Sequence, residues 1–309
     1  FMKNLLISHI SDIDGVSPVI LLKLVKMDFD YVLKEPHEME EYIEDLLKTD
    51  LSIYKTIYIT DLSLTEKTYD LLKTSNYFEK FRIFDHHKTH LFASSYDNVV
   101  IDTNECATTL FYTYLSKRYR FKRIVIDYIE HVKNLDLWLW VSKNDLFAKE
   151  LGNLFDLYGK DMYIEEMYQK LRKNHKFKWN KFESKILQIE KNTVERYLEK
   201  KNNELYKIEY EKYKIGVVFS ERYRSELGNY LSVSHQELDL IIVINMSGGM
   251  SLRTSKDIDI SELAKKLNGG GHKQACGAPI DSEVKIDVIK NLFKDCKIKE
   301  IPKINYKGD

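Results

Sequence analysis

The residues of this 309-residue chain best suited to chemistry are carboxylates and imidazoles at the ends of short apolar runs. "FRIFDHH" (81–87) is apolar until Asp85, His86 and His87 arrive side by side. "SHISDIDG" supplies His9, Asp12 and Asp14, "YITDLS" supplies Asp61, and the apolar "NLDLWLW" encloses Asp136. Gathered in one crevice and unpaired, five carboxylates would repel one another and some would protonate. Two dications nearly neutralise them, whereas one leaves the site strongly anionic. Mixed His and Asp ligands suit Mn²⁺, Co²⁺, Zn²⁺ or Fe²⁺ better than Ca²⁺. Two such ions about 3.5–4 Å apart activate water and clamp an in-line phosphoryl displacement. Plainer roles are open to the same residues. Asp12 and Asp14 before Gly15 suit a turn and helix cap, and Asp61 suits a cap for the helix that comes after it. His86 and His87 taken alone suit one core and one surface histidine.

Something must bring these groups together. The first ~140 residues alternate apolar runs with helical patterns, the signature of βαβ units and a parallel sheet. The runs are "NLLISHI", "TIYIT" (56–60), "FRIF" (81–84) and "NVVID" (98–102). Between and after them, "SPVILLKLVKM", "LSLTEKTYDLLKTS", "CATTLFYTYLSKRY" and "RIVIDYIEHVKNLDLWLW" read as helices. Ligands of an open parallel sheet bind beyond the carboxyl ends of its strands, where His9, Asp61 and Asp85 would stand. The pattern from about 161 to 205 is helical and rich in Lys and Glu, and "KFESKILQIEKNTVERYLEKKNNEL" reads as a long connecting helix with a solvated face. Strands return at "KIGVVFS" (214–220), "LDLIIVINM" (238–246) and "GMSLRTS" (249–255), followed by a helix "DISELAKKL", a glycine turn "NGGGH" with a helix-like start after it, and a last helix "VKIDVIKNLFKDC". The expected fold class is α/β, with an N-terminal parallel-sheet domain, a connecting helix and a smaller C-terminal α/β domain. The expected boundaries are 1–176, 177–205 and 206–309.

Charge and cysteine content narrow the class. Lys and Arg number 48 and Asp and Glu 48, so the net charge is zero. That argues against a long basic track for extended nucleic acid, while a local pocket for a small anion remains open. Cys106, Cys276 and Cys296 show no CxxC spacing. A disulfide framework or zinc site is not expected, and a reducing cytoplasm is. No apolar run reaches 18 residues, so no membrane span is expected.

In the second domain, "NGGGHKQACG" sets Gly269, Gly270 and Gly271 before His272 and Lys273. Backbone amides at such a turn bind anions, although a glycine turn also serves merely to reverse a chain. Arg253, at a strand end, is placed to grip phosphate. Ser225 and Asn229 in "SELGNYL" either contact a base or sugar or cap and pack a helix. Lys88 and Lys273 fall near the expected phosphates.

Taken in order, "SHISDIDGV", "YITDL", "FDHHKT", "NLDLWLW", "SLRTS" and "GGGHKQACG" resemble the DHH phosphoesterase superfamily with its DHH-associated C-terminal domain, and most of all the NrnB-type bacterial oligoribonucleases (nanoRNases). The resemblance spans nearly the whole chain. It implies a first ion held by His9, Asp12 and Asp61 and a second by Asp14, Asp61, His86 and Asp136, with Asp61 bridging. Asp85 would ligate or orient His86, and His87 would donate to a phosphate or leaving oxygen. One departure stands out: two residues separate His9 from Asp12, where one or three are expected, so the loop between them must adjust.

By the same resemblance the protein would be a metal-dependent phosphodiesterase with two divalent cations, Mn²⁺ first and Co²⁺ or Mg²⁺ as alternatives. It would hydrolyse short oligoribonucleotides to nucleoside monophosphates by an activated hydroxide, with the second domain holding the nucleotide. Cyclic or linear dinucleotides or 3′-phosphoadenosine 5′-phosphate are alternative substrates. The expected partners are the short RNA or dinucleotide itself and a second copy in a homodimer. A non-catalytic nucleotide sensor would be marked by a lost ligand, and none of the ligand residues is missing.

Overall fold

The computed structural model describes residues 2–294, which divide within one helix, between Leu187 and Gln188, into two compact units. Cys296 and the end of the expected last helix lie outside the described residues. The first unit runs β1 (Lys3–His9), α1 (Ile13–Leu24), β2 (Phe29–Lys34), α2 (Met39–Leu46), β3 (Tyr54–Thr60), α3 (Glu66–Thr74), β4 (Phe81–Asp85), β5 (Val99–Ile101), α4 (Ala107–Ser116), α5 (Arg123–Asp136) and α6 (Leu146–Lys173). Its five strands are all parallel, in the order β2-β1-β3-β4-β5.

Strand alternation divides the apolar residues between two cores. Leu6, Tyr58 and Phe84 face α1, α4, α5 and α6, while Leu5, Ile7, Ile57, Ile59 and Ile83 face α2 and α3. A sheet covered on both faces needs near-continuous apolar strands, which is why β1, β3 and β4 were legible. β2 was not. It is an edge strand with no buried residue, and Asp30 and Lys34 break its apolar pattern.

Helix α1 contains Pro18, which cannot donate to the carbonyl four residues back. That carbonyl, on Asp14, is taken instead by the hydroxyl of Thr108 at 2.7 Å. The proline thus frees an acceptor that docks the first turn of α4.

The expected continuous helical stretch is two helices. α6 ends at Lys173, after an interruption at Gly159, and α7 spans Lys181–Asn202. Between them Phe177 and Trp179 pack inward. The start of α7 is fixed by reciprocal capping: Glu183 N donates to Asn180 Oδ1 (2.9 Å) and Asn180 N to Glu183 Oε2 (2.7 Å). The same carboxylate receives Lys170 Nζ at 2.5 Å, and both side chains are buried.

The second unit, entered along α7, contains β6 (Tyr206–Tyr210), β7 (Tyr213–Phe219), α8 (Arg224–Ser234), β8 (Leu240–Asn245), β9 (Gly249–Arg253), α9 (Ser261–Lys266), β10 (Gly270–His272), β11 (Ala275–Ala278) and α10 (Ser282–Leu292). Its sheet has the order β10-β11-β9-β8-β7-β6, with only β7 and β8 parallel. The glycine run enters an extended edge strand, which corrects the expectation of a turn opening a helix: the chain turns directly into β11, and the next helix begins only at Ser282. His272 pairs with Ala275 across a two-residue turn. Gly271, at φ 137°, lies so close to Ala275 and Cys276 that a Cβ would sit 2.6 Å from the Ala275 carbonyl oxygen. The glycine is there because only glycine permits this close backbone pairing. Among the described residues no helix is long and apolar enough to cross a membrane.

Candidate metal centre

The carboxyl ends of β1, β3 and β4 stand next to one another, and the polar groups follow. His9 closes β1, Asp61 comes one residue after β3 with a left-handed backbone (φ 58°), and Asp85 closes β4. Asp61 is held in place by its amide, which donates to the Phe84 carbonyl at 3.0 Å.

Asp12 performs two jobs at once. From an extended backbone it caps α1, its Oδ1 accepting from Gly15 N at 2.8 Å, while Oδ2 lies 3.0 Å from His9 Nδ1. The extended conformation takes up the unusual spacing between His9 and Asp12. Gly15 allows the close approach, since a Cβ there would fall 2.3 Å from the His9 carbonyl oxygen. The other nitrogen of His9 faces Glu35 at 3.3 Å.

Asp14 is fully buried and accepts from the amides of Ala107 and Thr108 at 2.8 Å each, at the N-terminus of α4. His86 lies between acids: Nε2 is 3.3 Å from Asp61 Oδ1 and 4.0 Å from Asp14 Oδ2, and Nδ1 is 3.6 Å from Asp136 Oδ2. Asp136, the last residue of α5, enters from the opposite side.

Three sets of ligand atoms, each set within 4.8 Å, result: His9, Asp12 and Asp61; Asp14, His86 and Asp136; and Asp61, Asp85, His86 and His87. All six expected metal-holding residues are therefore brought together. The donor set fits divalent cations on a direct observation. The Oδ2 atoms of Asp61 and Asp136 are buried without a hydrogen-bond partner, a costly arrangement unless a cation completes it.

The electrostatics point the same way. Burial, with Asp61, Asp136 and Asp12 nearby, pushes Asp14 well above the usual carboxylate range. Burial, Asp61 and Asp12 carry Asp136 to about 7, with His86 opposing. Against its own burial, His86 is raised to about 9 by Asp61, Asp136 and Asp14, and His9 to about 11 by Asp12 and Asp61. Without a cation the cluster must neutralise itself with protons; a dication replaces them.

Asp85 is different. It is fully buried and saturated: Oδ1 accepts from His86 N (2.8 Å), His87 N (3.4 Å) and His87 Nδ1 (2.7 Å), and Oδ2 from His90 Nδ1 (2.8 Å) and Ser63 Oγ (2.9 Å). Burial alone would raise its pKa, yet His87 and His90 hold it far below the carboxylate range. The expectation that Asp85 orients the His86 ring is corrected: it touches His86 only through the backbone amide, because the ring is turned towards Asp61 and Asp136. The rings that Asp85 does hold are those of the buried His90 and of His87, whose side chain is 47% exposed. Lys88 beside it is exposed.

The second unit has a cavity of about 680 Å³, lined by Arg224, Ser225, Gly248, Arg253, Gly270 and Gly271 among others. Arg253 Nη1 donates to the carbonyls of Leu252 (2.9 Å) and Cys276 (3.1 Å), and Nη2 is 3.4 Å from Ser225 Oγ. Its fork is thus partly committed to the protein, which limits the bidentate grip expected from sequence. Gly269, His272, Lys273 and Asn229 do not line this cavity. Lys273 is paired with Asp257 at 2.5 Å, and His272 and Asn229 are exposed.

Residues 214–299 match the DHHA1 domain family. Over 295 residues the chain is 32% identical to "Oligoribonuclease NrnB" of Bacillus subtilis (strain 168), an alignment covering 90% of this chain and 73% of that protein. The chain belongs to the DHH phosphoesterase superfamily. Two solved structures share the DHH-type fold. One is a pGpG-specific phosphodiesterase, PggH, from Vibrio cholerae (TM-score 0.57, 15% identity, covering 94% of this chain and 97% of that one). The other is the DHH domain of a member of the s1p family of ribosomal proteins (TM-score 0.59, 16% identity, covering 95% and 87%).

Three contacts in this DHH centre were not foreseen from sequence: Glu35 on His9, and His90 and Ser63 on Asp85. Glu35 follows β2, whose apolar pattern is broken, so no strand end announces it. His90 lies five residues past Asp85 in "DHHKTH", close enough to be noticed as a third imidazole.

Proposed function

We propose that this chain is a metal-dependent phosphodiesterase that cuts short oligoribonucleotides to nucleoside monophosphates. One observation carries the reading: Asp61 stands between two ligand sets, facing His9 with one oxygen and His86 with the other. Two dications, Mn²⁺ being best matched to these His and Asp donors, would supply charge neutralisation and an activated water. His9, Asp12 and Asp61 would hold one, and Asp14, Asp61, His86 and Asp136 the other.

The protein's own groups do the rest. Asp85 accepts the Nδ1 proton of His87 and raises the pKa of that imidazole, despite partial burial. Nε2 then carries a proton to donate to the leaving ribose oxygen as the P–O bond breaks. His90 and Ser63 keep Asp85 aimed. In the second unit Arg253 and the amides of Gly270 and Gly271 would bind the nucleotide. A cavity of about 680 Å³ is of the size that holds a small ligand, about one or two nucleotides, and not an extended strand. The 32% identity to the Bacillus subtilis oligoribonuclease supports the choice of short RNA.

A substrate panel with Mn²⁺ tests this: RNA and DNA of two to ten nucleotides, cyclic dinucleotides, 3′-phosphoadenosine 5′-phosphate and pyrophosphate. Short RNA should be cut fastest, with monophosphates as products. Hydrolysis of pyrophosphate alone would overturn the proposal. Arg253→Lys should raise KM about tenfold with kcat little changed, since a point charge replaces the fork.

A further inference from the structure

Strand β6 is an edge that the fold leaves bare. All five residues, Tyr206-Lys207-Ile208-Glu209-Tyr210, are exposed, and β6 has β7 on one side and, among the described residues, no strand on the other. Tyr206, Ile208 and Tyr210 share one face, opposite Val217, Ile215 and Tyr213 of β7, which belong to the core beneath α9. The apolar face of the sheet therefore continues past its covered part. Tyr206 (63%), Ile208 (45%), Tyr210 (48%) and the neighbouring Phe219 (48%) remain exposed there. Lys207 and Glu209 occupy the opposite face.

The hairpin fixes which backbone groups are free. Tyr210 and Tyr213 close a two-residue loop as a pair. By the alternation of antiparallel ladders, Tyr206, Ile208 and Tyr210 bond to β7, while Lys207 and Glu209 turn their N–H and C=O groups outward. Such an edge is a template for another strand.

The sequence names the strand that fits. Read antiparallel to itself about Ile208, "YKIEY" sets Lys207 against Glu209, Tyr206 against Tyr210 and Ile208 against itself. The outward backbone groups of Lys207 and Glu209 then pair in both directions, and each ammonium meets a carboxylate. A two-fold interface requires this self-complementarity. An edge lysine alone would deter a second copy; Glu209, two residues on, reverses that. The existing partner of Lys207, Glu237 at 2.6 Å, forms an exposed pair, a kind that contributes little and so does not hold the lysine back.

We propose that β6 is a dimerisation edge, on which a second copy of this chain adds its own β6 antiparallel across a two-fold axis, joining two six-stranded sheets into one. Equilibrium sedimentation of the full chain tests it. The wild type should have twice the 36.6 kDa mass of the chain. Glu209→Lys and Lys207→Glu should each give a monomer, since each sets like charges opposite one another. Mixing the two variants should restore a dimer containing one of each, as should the double exchange Lys207→Glu/Glu209→Lys in a single chain. The substituted side chains are exposed, so folding is retained and circular dichroism should not change. A monomeric wild type would overturn the proposal and leave the edge to a strand of another protein. Single variants that stay dimeric, or a mixture that stays monomeric, would overturn it as well.

Discussion

Asp61 Oδ1 lies 3.3 Å from His86 Nε2, and its Oδ2 is buried with no hydrogen-bond partner. One carboxylate thus serves two ligand sets, and its removal should be felt by both. Asp61→Asn keeps the shape of the side chain and removes its charge. Metal affinity should fall by at least ~100-fold, the upper range for losing a mere outer contact of a ligand. Phosphodiesterase activity should fall with it. Isothermal titration with Mn²⁺ measures the first, and a wild-type titration curve would contradict the shared role.

His87 and His90 compete for nothing: each takes a different oxygen of Asp85. His87→Asn should lower kcat by about 10²–10⁴, the usual share of a general acid, with metal affinity intact. His90→Ala reaches the reaction through Asp85, and it also removes a buried ring that packs against Tyr69 and Phe92. It should lower kcat less and displace the alkaline limb of the pH–rate profile, where the general acid His87 loses its proton, because Asp85 loses a partner and its grip on His87 changes. An unaltered profile would make His90 a packing residue only.

Asp136 gives the metal-free protein a pH signature. Its ordinary value of 3.8 rises to about 7 in the folded chain. The folded state then holds the proton more tightly than the unfolded one. The resulting stabilisation is full below about 3.8, and is lost as pH rises through about 7. Chelated protein should therefore melt at lower temperature at about pH 8 than at about pH 5. The effect is at most a few kcal/mol, at ~1.4 kcal/mol for each tenfold change in proton affinity. Asp136→Asn should flatten this slope, and Mn²⁺ should remove it in the wild type by taking the place of the proton. Thermal melts across pH, with and without chelator, provide the check.

The buried Lys170–Glu183 pair anchors the start of α7. Lys170→Met leaves the Glu183 carboxylate buried without its cation and should cost about 3–5 kcal/mol. Lys170→Met/Glu183→Gln removes both charges and should recover much of that loss, the glutamine still capping Asn180. Chemical denaturation of four proteins (wild type, Lys170→Met, Glu183→Gln and the double variant) closes the cycle, and additivity of the two substitutions would argue against a coupled pair.

The strands that carry the centre were legible because they are buried on both faces. Leu5, Leu6 and Ile7, or Ile57, Tyr58 and Ile59, leave no room for alternation, and the first polar residue after each run marks a strand end. Where burial is partial, the signal fades. β2 and β6 have no buried residue at all, and neither was legible, nor were Glu35 and the bare edge they present. The glycine run misleads for another reason. Glycine marks both a tight turn and a close strand pairing, and only the position of Ala275 and Cys276 tells which. The pairing of Asp85 with His87 and not with the His86 ring was equally hidden, because sequence gives the neighbours of a side chain and not its rotamer.

Asp14 accepts both its hydrogen bonds from amides more than ninety positions further along the chain, and Asp136 arrives later still. A growing polypeptide on the ribosome therefore carries His9, Asp12 and Asp14 through most of the synthesis of this unit as three loose, weakly chelating side chains. In the proposed two-cation centre, full affinity for the second ion would arise only once α5 has emerged and docked. Loading of that centre would thus be timed by topology, with the cation entering a nearly finished unit rather than seeding its assembly.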